Sequence, residues 1–262
     1  MVTKHTRNGT AQAVADFDDL TVEYPEEDGE PSTDFQFVPL VYAVFALRAR
    51  YADREDIYVG GNMLLYYRMN LPQFSVAPDV FMVADARGNH KRRSWFTWRE
   101  DAAPAFVMEI ASDSTWRHDG ADKRATYAEI GVTEYWRFDP TGECFSPALI
   151  GERLVDGVYH PIEVAEDEGG ILRGYSDVLM LEICVLPDLE LRLYDPERGE
   201  WLLNYDEERA ARQAAELQAQ AAELQAQAAE RDAQTERDAR QAAEERVRQL
   251  EALLRAQDDD SA

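Results

Sequence analysis

At 262 residues with a formal net charge of −25, the chain is long enough for one domain with a full hydrophobic core plus an extension. Its acidity excludes a protein that coats nucleic acid by bulk electrostatics, because phosphate binding draws on local lysine and arginine; a nuclease with only a basic substrate-facing patch stays open. No run of about 18 or more apolar residues occurs and the start, MVTKHTRNGTAQAV, lacks an apolar signal block, which predicts a soluble cytoplasmic protein with no membrane partner.

Residues 1 to about 30 are polar and acidic and read as a flexible arm. From Asp34 to Tyr51, Phe37, Leu40, Val41, Val44, Phe45 and Leu47 recur at helical spacing, with Asp34 as the expected N-cap. Ile57 to Tyr67 is rich in β-branched and aromatic residues and is broken by Gly60-Gly61, so a strand with a bend is expected. Val80–Val83 and Ala105–Ala111 are short apolar runs of the kind buried on both faces of a central sheet. A helix follows over Asp119 to Ile130, closed by Gly131, and then a strand over Glu134–Phe138. Glycine-punctuated short strands after Asp139-Pro140 predict an all-β extension of the sheet. The whole is a mixed α/β layer arrangement. Cys144 and Cys184 lack zinc spacing and read as reduced core residues.

The tail repeats itself: AAELQAQ at 214–220, AAELQAQ at 221–227 and AAERDAQ at 228–234. Ala214, Leu217, Ala221, Leu224 and Ala228 mark the seam of a left-handed coiled coil. Arg231 and Asp238 occupy seam positions, and Val247, Leu250 and Leu254 fall out of frame, which implies a stutter. An oligomerisation helix and an exposed single helix held by propensity and salt bridges are both consistent with this pattern. The domains so defined are an arm over 1–30, a folded domain over 31–205, a helical tail over 206–257 and a disordered acidic end over 258–262.

Two acidic residues stand out chemically. Asp79, after Pro78, opens one apolar strand, and Glu109 lies inside another, where a carboxylate is costly unless a metal or a cation neutralises it. Asp119, Lys123 and Tyr127 follow at i, i+4, i+8 and share one helix face. The densest basic segment runs from Arg87 to Arg99. There Lys91, Arg92 and Arg93 alternate with aromatics including Trp95, a candidate nucleic-acid contact or else a solvated loop leading into a strand.

Taken in order, Ala77–Val83, Phe106–Ser112 with Ser114 and Thr115, then Asp119, Lys123, Tyr127 and Gly131–Pro140 resemble the signature of the Uma-two family. Gly170, Ser176–Leu181, Leu191–Pro196 and Gly199 extend the likeness, which covers about residues 35 to 205. The resemblance implies a restriction-endonuclease-like mixed central sheet flanked by helices, that is, a PD-(D/E)XK nuclease core. It also implies Mg2+- or Mn2+-dependent cleavage of DNA phosphodiesters; separately from the likeness, a homo-oligomer formed through the core or the coiled coil is expected. By this likeness Asp79, Glu109 and the backbone carbonyl of Ile110 would hold the metal. The lysine expected two residues after the glutamate is Ala111, and Lys123 from the following helix is similar to a relocated substitute. Asp119, Tyr127, Ser112 and Asp34 are the supporting candidates. The bland alternatives are a structural ion pair for Glu109, an exposed helix pair for Asp119 and Lys123, and a turn cap for Ser112. A nuclease-fold scaffold acting through its tail is the competing reading for the whole chain.

Overall fold

The computed structural model describes residues 33–88, 90–112 and 116–259, without the side chains of 116–121 and 251–259. The arm expected over 1–30 and the last residues of the acidic end lie outside the described residues. The chain divides into two units, one ending at Asn204 and the other beginning at Tyr205.

The first unit opens on α1, Asp34–Arg50. Its N-cap is Thr33 in extended conformation rather than Asp34, which is the first helical residue, where a carboxylate complements the positive end of the helix dipole. The expected apolar face is also shifted: Tyr42, Ala43, Ala46 and Leu47 are buried, whereas Phe37 and Val41 are exposed. The reason is the closeness of helix and sheet. A Cβ at Gly61 would come within 2.7 Å of Val44 Cγ2, a separation only small residues tolerate.

After α1 come β1 (Ile57–Gly60), β2 (Leu65–Tyr66), β3 (Ser75–Val76), β4 (Val80–Ala84), β5 (Trp95–Phe96), α2 (Thr97–Glu100), β6 (Phe106–Ile110), α3 (Trp116–Ile130), β7 (Glu134–Phe138), β8 (Leu149–Val155) and β9 (Val158–Ile162). The central sheet has the order β1-β4-β6-β7-β8-β9. Its pairs are antiparallel except β6 and β7, which run parallel and are joined by α3 as the crossover that such a pair requires. α3 begins three residues before the expected Asp119 and ends at Gly131, whose φ of +87° suits a residue without Cβ.

Only β8 and β9 extend the central sheet. The remaining strands, β10 (Val164–Glu166), β11 (Leu172–Ser176), β12 (Leu181–Val185), β13 (Leu191–Asp195) and β14 (Glu200–Trp201), form a second, antiparallel sheet instead of prolonging the first. Trp136, fully buried, explains the layering. A Cβ at Gly151 of β8 would lie 2.6 Å from its ring and one at Gly174 of β11 2.8 Å, so the two glycines make the slot in which the indole packs between layers. At about 25 cal/mol per Å2 and 150–250 Å2 for an aromatic, that burial is worth roughly 4–6 kcal/mol. Glu134, also fully buried, ties the layers by accepting hydrogen bonds from Trp136 Nε1 (3.1 Å), the Ser176 hydroxyl, the Asp177 N–H (3.0 Å) and Arg153 Nη2 (2.9 Å).

The central sheet therefore has two unlike faces. One, with Val80, Met108, Trp136 and Phe138, packs on α1 and the second sheet; the other, with Phe81, Val107 and Tyr135, packs on Tyr127 of α3 and on Trp95 of the small β3-β2-β5 sheet. The second unit is α4, Tyr205–Asp259, a 55-residue helix on which Leu217, Leu224, Val247 and Leu250 are exposed. Among the described residues no helix is long and apolar enough to cross a membrane.

Candidate active site

Asp79 and Glu109 are brought together by strand register. In the antiparallel β4·β6 ladder Val80 faces Met108, so Asp79 falls one step beyond the ladder, opposite Glu109. Side chains alternate along a strand, which sends both carboxylates to the face covered by α3. Both are buried, at 8% exposure each. The Ile110 N–H donates to Asp79 Oδ2 at 2.7 Å. The Lys123 ammonium lies 2.9 Å from Glu109 Oε2, and the Tyr127 hydroxyl donates to Glu109 Oε1.

The electrostatics follow from this crowding. Burial, then the Glu109 charge, pushes the Asp79 carboxyl up to about 8; the Ile110 N–H and the Lys123 ammonium pull the other way, and a hydrogen bond between the two carboxyls adds to the rise. Burial and the same Glu109 charge hold the Tyr127 hydroxyl well above its usual range, so it remains a protonated donor at neutral pH. In the absence of metal, then, Asp79 keeps a proton that the unfolded chain would release near pH 4. A carboxyl raised in this way stabilises the fold in full below the unfolded value, and that stabilisation is lost as pH rises to about 8. Asp79→Asn removes the titration but keeps an oxygen for the Ile110 N–H. In metal-free buffer its melting temperature should therefore gain on the wild type between pH 5 and pH 8. Even one pKa unit, about 1.4 kcal/mol, corresponds to roughly 3–5 °C for a domain of this size. A difference that stays constant across that range would mean that Asp79 carries no such proton.

The other sequence candidates are distributed as follows. Ile110 points its N–H at Asp79, and its carbonyl accepts from Gln36 Nε2 at 3.4 Å, so this carbonyl shares the strand edge with the carboxylate. Ser112 is half-buried two residues past β6. Asp34 is exposed at the start of α1; the α1 residue that reaches the site is Gln36, which the sequence reading missed. Its signal was present, since Gln36 heads the stripe Leu40, Ala43, Leu47 at i+4, i+7 and i+11. The Asp119 side chain lies outside the described residues.

The basic segment is largely consumed inside the protein. Trp95 is fully buried and its Nε1 donates to Ala102 O at 3.0 Å, so it is a core residue and cannot stack on a base. The Arg92 side chain is 4% exposed, pairs with Glu100 at 2.8 Å and lies over the Tyr58 and Trp95 rings, so it is unavailable to phosphate. Lys91 and Arg93 are exposed.

A mixed sheet with helices on its faces and two acidic residues apposed at the ends of adjacent strands defines the restriction endonuclease-like class of α+β fold. A family model, Uma2, described as "Putative restriction endonuclease", matches residues 29–176. That span is more than half of the chain, and the chain belongs to the Uma2 family. Among solved structures, the crystal structure of "a putative nuclease belonging to DUF820" from Anabaena variabilis ATCC 29413 is similar at 12% identity, with a TM-score of 0.41, covering 56% of this chain and 83% of that one. No curated protein matches the sequence.

Proposed function

We propose that this protein is a divalent-metal-dependent endonuclease that hydrolyses DNA phosphodiester bonds at Asp79, Glu109 and Lys123. One observation carries the reading: a second carboxyl is pressed against Glu109 although Lys123 already neutralises it. A structural ion pair has no use for that second acid, whereas a dication needs both.

The donor set suits Mg2+ or Mn2+. Among the described residues no group of three or more His, Cys, Asp or Glu side chains is placed to hold a metal ion. A small hard cation is held by one or two carboxylates and completes its shell with water and substrate phosphate. Asp79 and Glu109 would hold it, with the Ile110 carbonyl on the same strand edge. When bound, the metal supplies charge stabilisation at the phosphoryl group and a more acidic water. Lys123 places a fixed positive charge where the phosphate becomes more anionic. Tyr127 fixes the Glu109 carboxylate by its hydroxyl.

Thermal denaturation with added Mg2+ or Mn2+ tests the reading. At a hundredfold excess over Kd the wild type should gain about 2.7 kcal/mol, or roughly 5–10 °C, and Glu109→Gln should gain little. Equal stabilisation of both proteins would remove the carboxylate pair from consideration.

For the tail we propose self-association through α4, because Leu217 and Leu224 are exposed one heptad apart and alternate along the helix with Ala214, Ala221 and Ala228. Sedimentation of the full chain should show a dimer or higher species, and a chain ending at Asn204 should sediment as a smaller one while still cutting DNA. A full chain that self-associates through the tail but does not cut DNA would favour the scaffold reading, in which the tail and not the carboxylate pair carries the function.

A further inference from the structure

We propose that Arg137 contacts a backbone phosphate of bound DNA beside the phosphate that is cleaved, an inference that rests on the nuclease reading above. In the parallel β6·β7 ladder Glu109 faces Arg137, and the antiparallel β4·β6 ladder places Asp79 opposite Glu109. Asp79, Glu109 and Arg137 thus form one row across three adjacent strands, all on the face covered by α3. Neighbouring strands are about 4.8 Å apart, so the guanidinium stem rises next to the carboxylate pair.

Arg137 lies beside the Tyr135 and Phe145 rings, 5.7 and 5.9 Å from their centroids, and makes one long ion pair. Its Nη2 donates to Glu152 Oε2 at 3.3 Å, and its Nε is buried with no hydrogen-bond partner among the described residues. Glu152 does not depend on it. Arg124 of α3 already grips that carboxylate, with Nε 3.0 Å and Nη2 2.9 Å from Oε1, and spends Nη2 again on Tyr159 O at 3.1 Å. Of the two arginines on Glu152, Arg124 has Nε and Nη2 engaged, whereas Arg137 meets the carboxylate through Nη2 alone. The Nε is enclosed, so a phosphate would be met by the terminal nitrogens of the partly exposed guanidinium, where a charge-assisted hydrogen bond is strong.

The charge balance of the site asks for such a residue. In a chain of net charge −25, a polyanion approaching two apposed carboxylates needs fixed cations beside them, and Arg92 is turned inward. Lys123 serves the reacting phosphate in the reading above; Arg137, one strand further along the row, lies where the next phosphate of an extended backbone would pass.

Fluorescence anisotropy with the full chain and a labelled DNA duplex of arbitrary sequence tests this. Glu109→Gln serves as the cleavage-deficient background, with Mg2+ and a salt series from 50 to 200 mM. Adding Arg137→Met, which keeps the aliphatic stem, should weaken binding about 5–10-fold, irrespective of sequence, and lower the slope of log K against log salt by about 0.9; Arg137→Lys should keep the slope. Arg137→Gln, which retains a hydrogen bond to Glu152, is the second neutral variant should Arg137→Met fold poorly. An unchanged slope in a background that binds DNA, including one accompanied by a lowered melting temperature, overturns the inference and leaves the nuclease reading standing. Absence of DNA binding by the wild type as well as by the background overturns both.

Discussion

Glu109→Gln and Asp79→Asn should each lower Mg2+-dependent DNA cleavage by about a thousandfold or more while leaving the domain folded. A metal ion polarising a phosphoryl group contributes several kcal/mol to transition-state stabilisation, and about 4 kcal/mol is three decades in rate. Neither substitution should disturb the fold. Asparagine at 79 keeps an oxygen for the Ile110 N–H, and glutamine at 109 keeps one for the Tyr127 hydroxyl. Single-turnover cleavage of plasmid DNA, read beside circular dichroism and melting temperature, separates lost chemistry from lost structure. Activity within tenfold of the wild type in both variants would dismiss the pair as the metal site. Glu134→Gln is the informative contrast: it is a strand glutamate buried as deeply, but its oxygens are already occupied by Arg153, Ser176, Asp177 and Trp136. Its replacement should show up in stability and leave the chemical step alone.

Lys123→Met is expected to reduce kcat about 10²–10³-fold, the range found when one fixed donor to a developing anion is removed, with KM changing much less. A loss confined to KM would instead mean that Lys123 only binds the ground state. The variant also leaves Glu109, 8% exposed, without its 2.9 Å cation, so the metal-free protein should melt earlier than the wild type. Added Mg2+ should narrow that gap, because a dication neutralises the same carboxylates. Lys123→Arg should keep the thermal stability but recover only part of kcat, since the planar guanidinium cannot take the place of a compact ammonium.

The elements were legible wherever a pattern was strong and local. The β4 and β6 runs, the β7 strand, the glycine stop of α3 and the long tail helix each follow from periodicity or from one residue's backbone preference. The candidate pair was legible, since a Pro-Asp before one apolar strand and a glutamate inside another point to two acids on neighbouring strands, and the register sets them opposite each other. The neighbours that define the site were less so. Gln36 was overlooked because a glutamine in a first helical turn looks like solvent surface, and Arg137 because Tyr-Trp-Arg-Phe reads as an ordinary strand. Trp95 and Arg92 were misjudged for the opposite reason: interleaved basic and aromatic residues suit a nucleic-acid surface as well as they suit a cation packed over buried rings.

The sequence by itself determined the element types and the family, and it marked Asp79 and Glu109 as candidates, because these depend on residue chemistry and short-range periodicity. Tertiary structure decided which of two buried strand glutamates faces a second carboxyl: Glu134 looks into the layer between the sheets, and Glu109, on the opposite face of its own strand, looks toward Asp79 and α3. That choice rests on register and on sheet faces. A one-residue shift in pairing would send every side chain to the other side, and nothing within a five-residue strand encodes its partner's alignment.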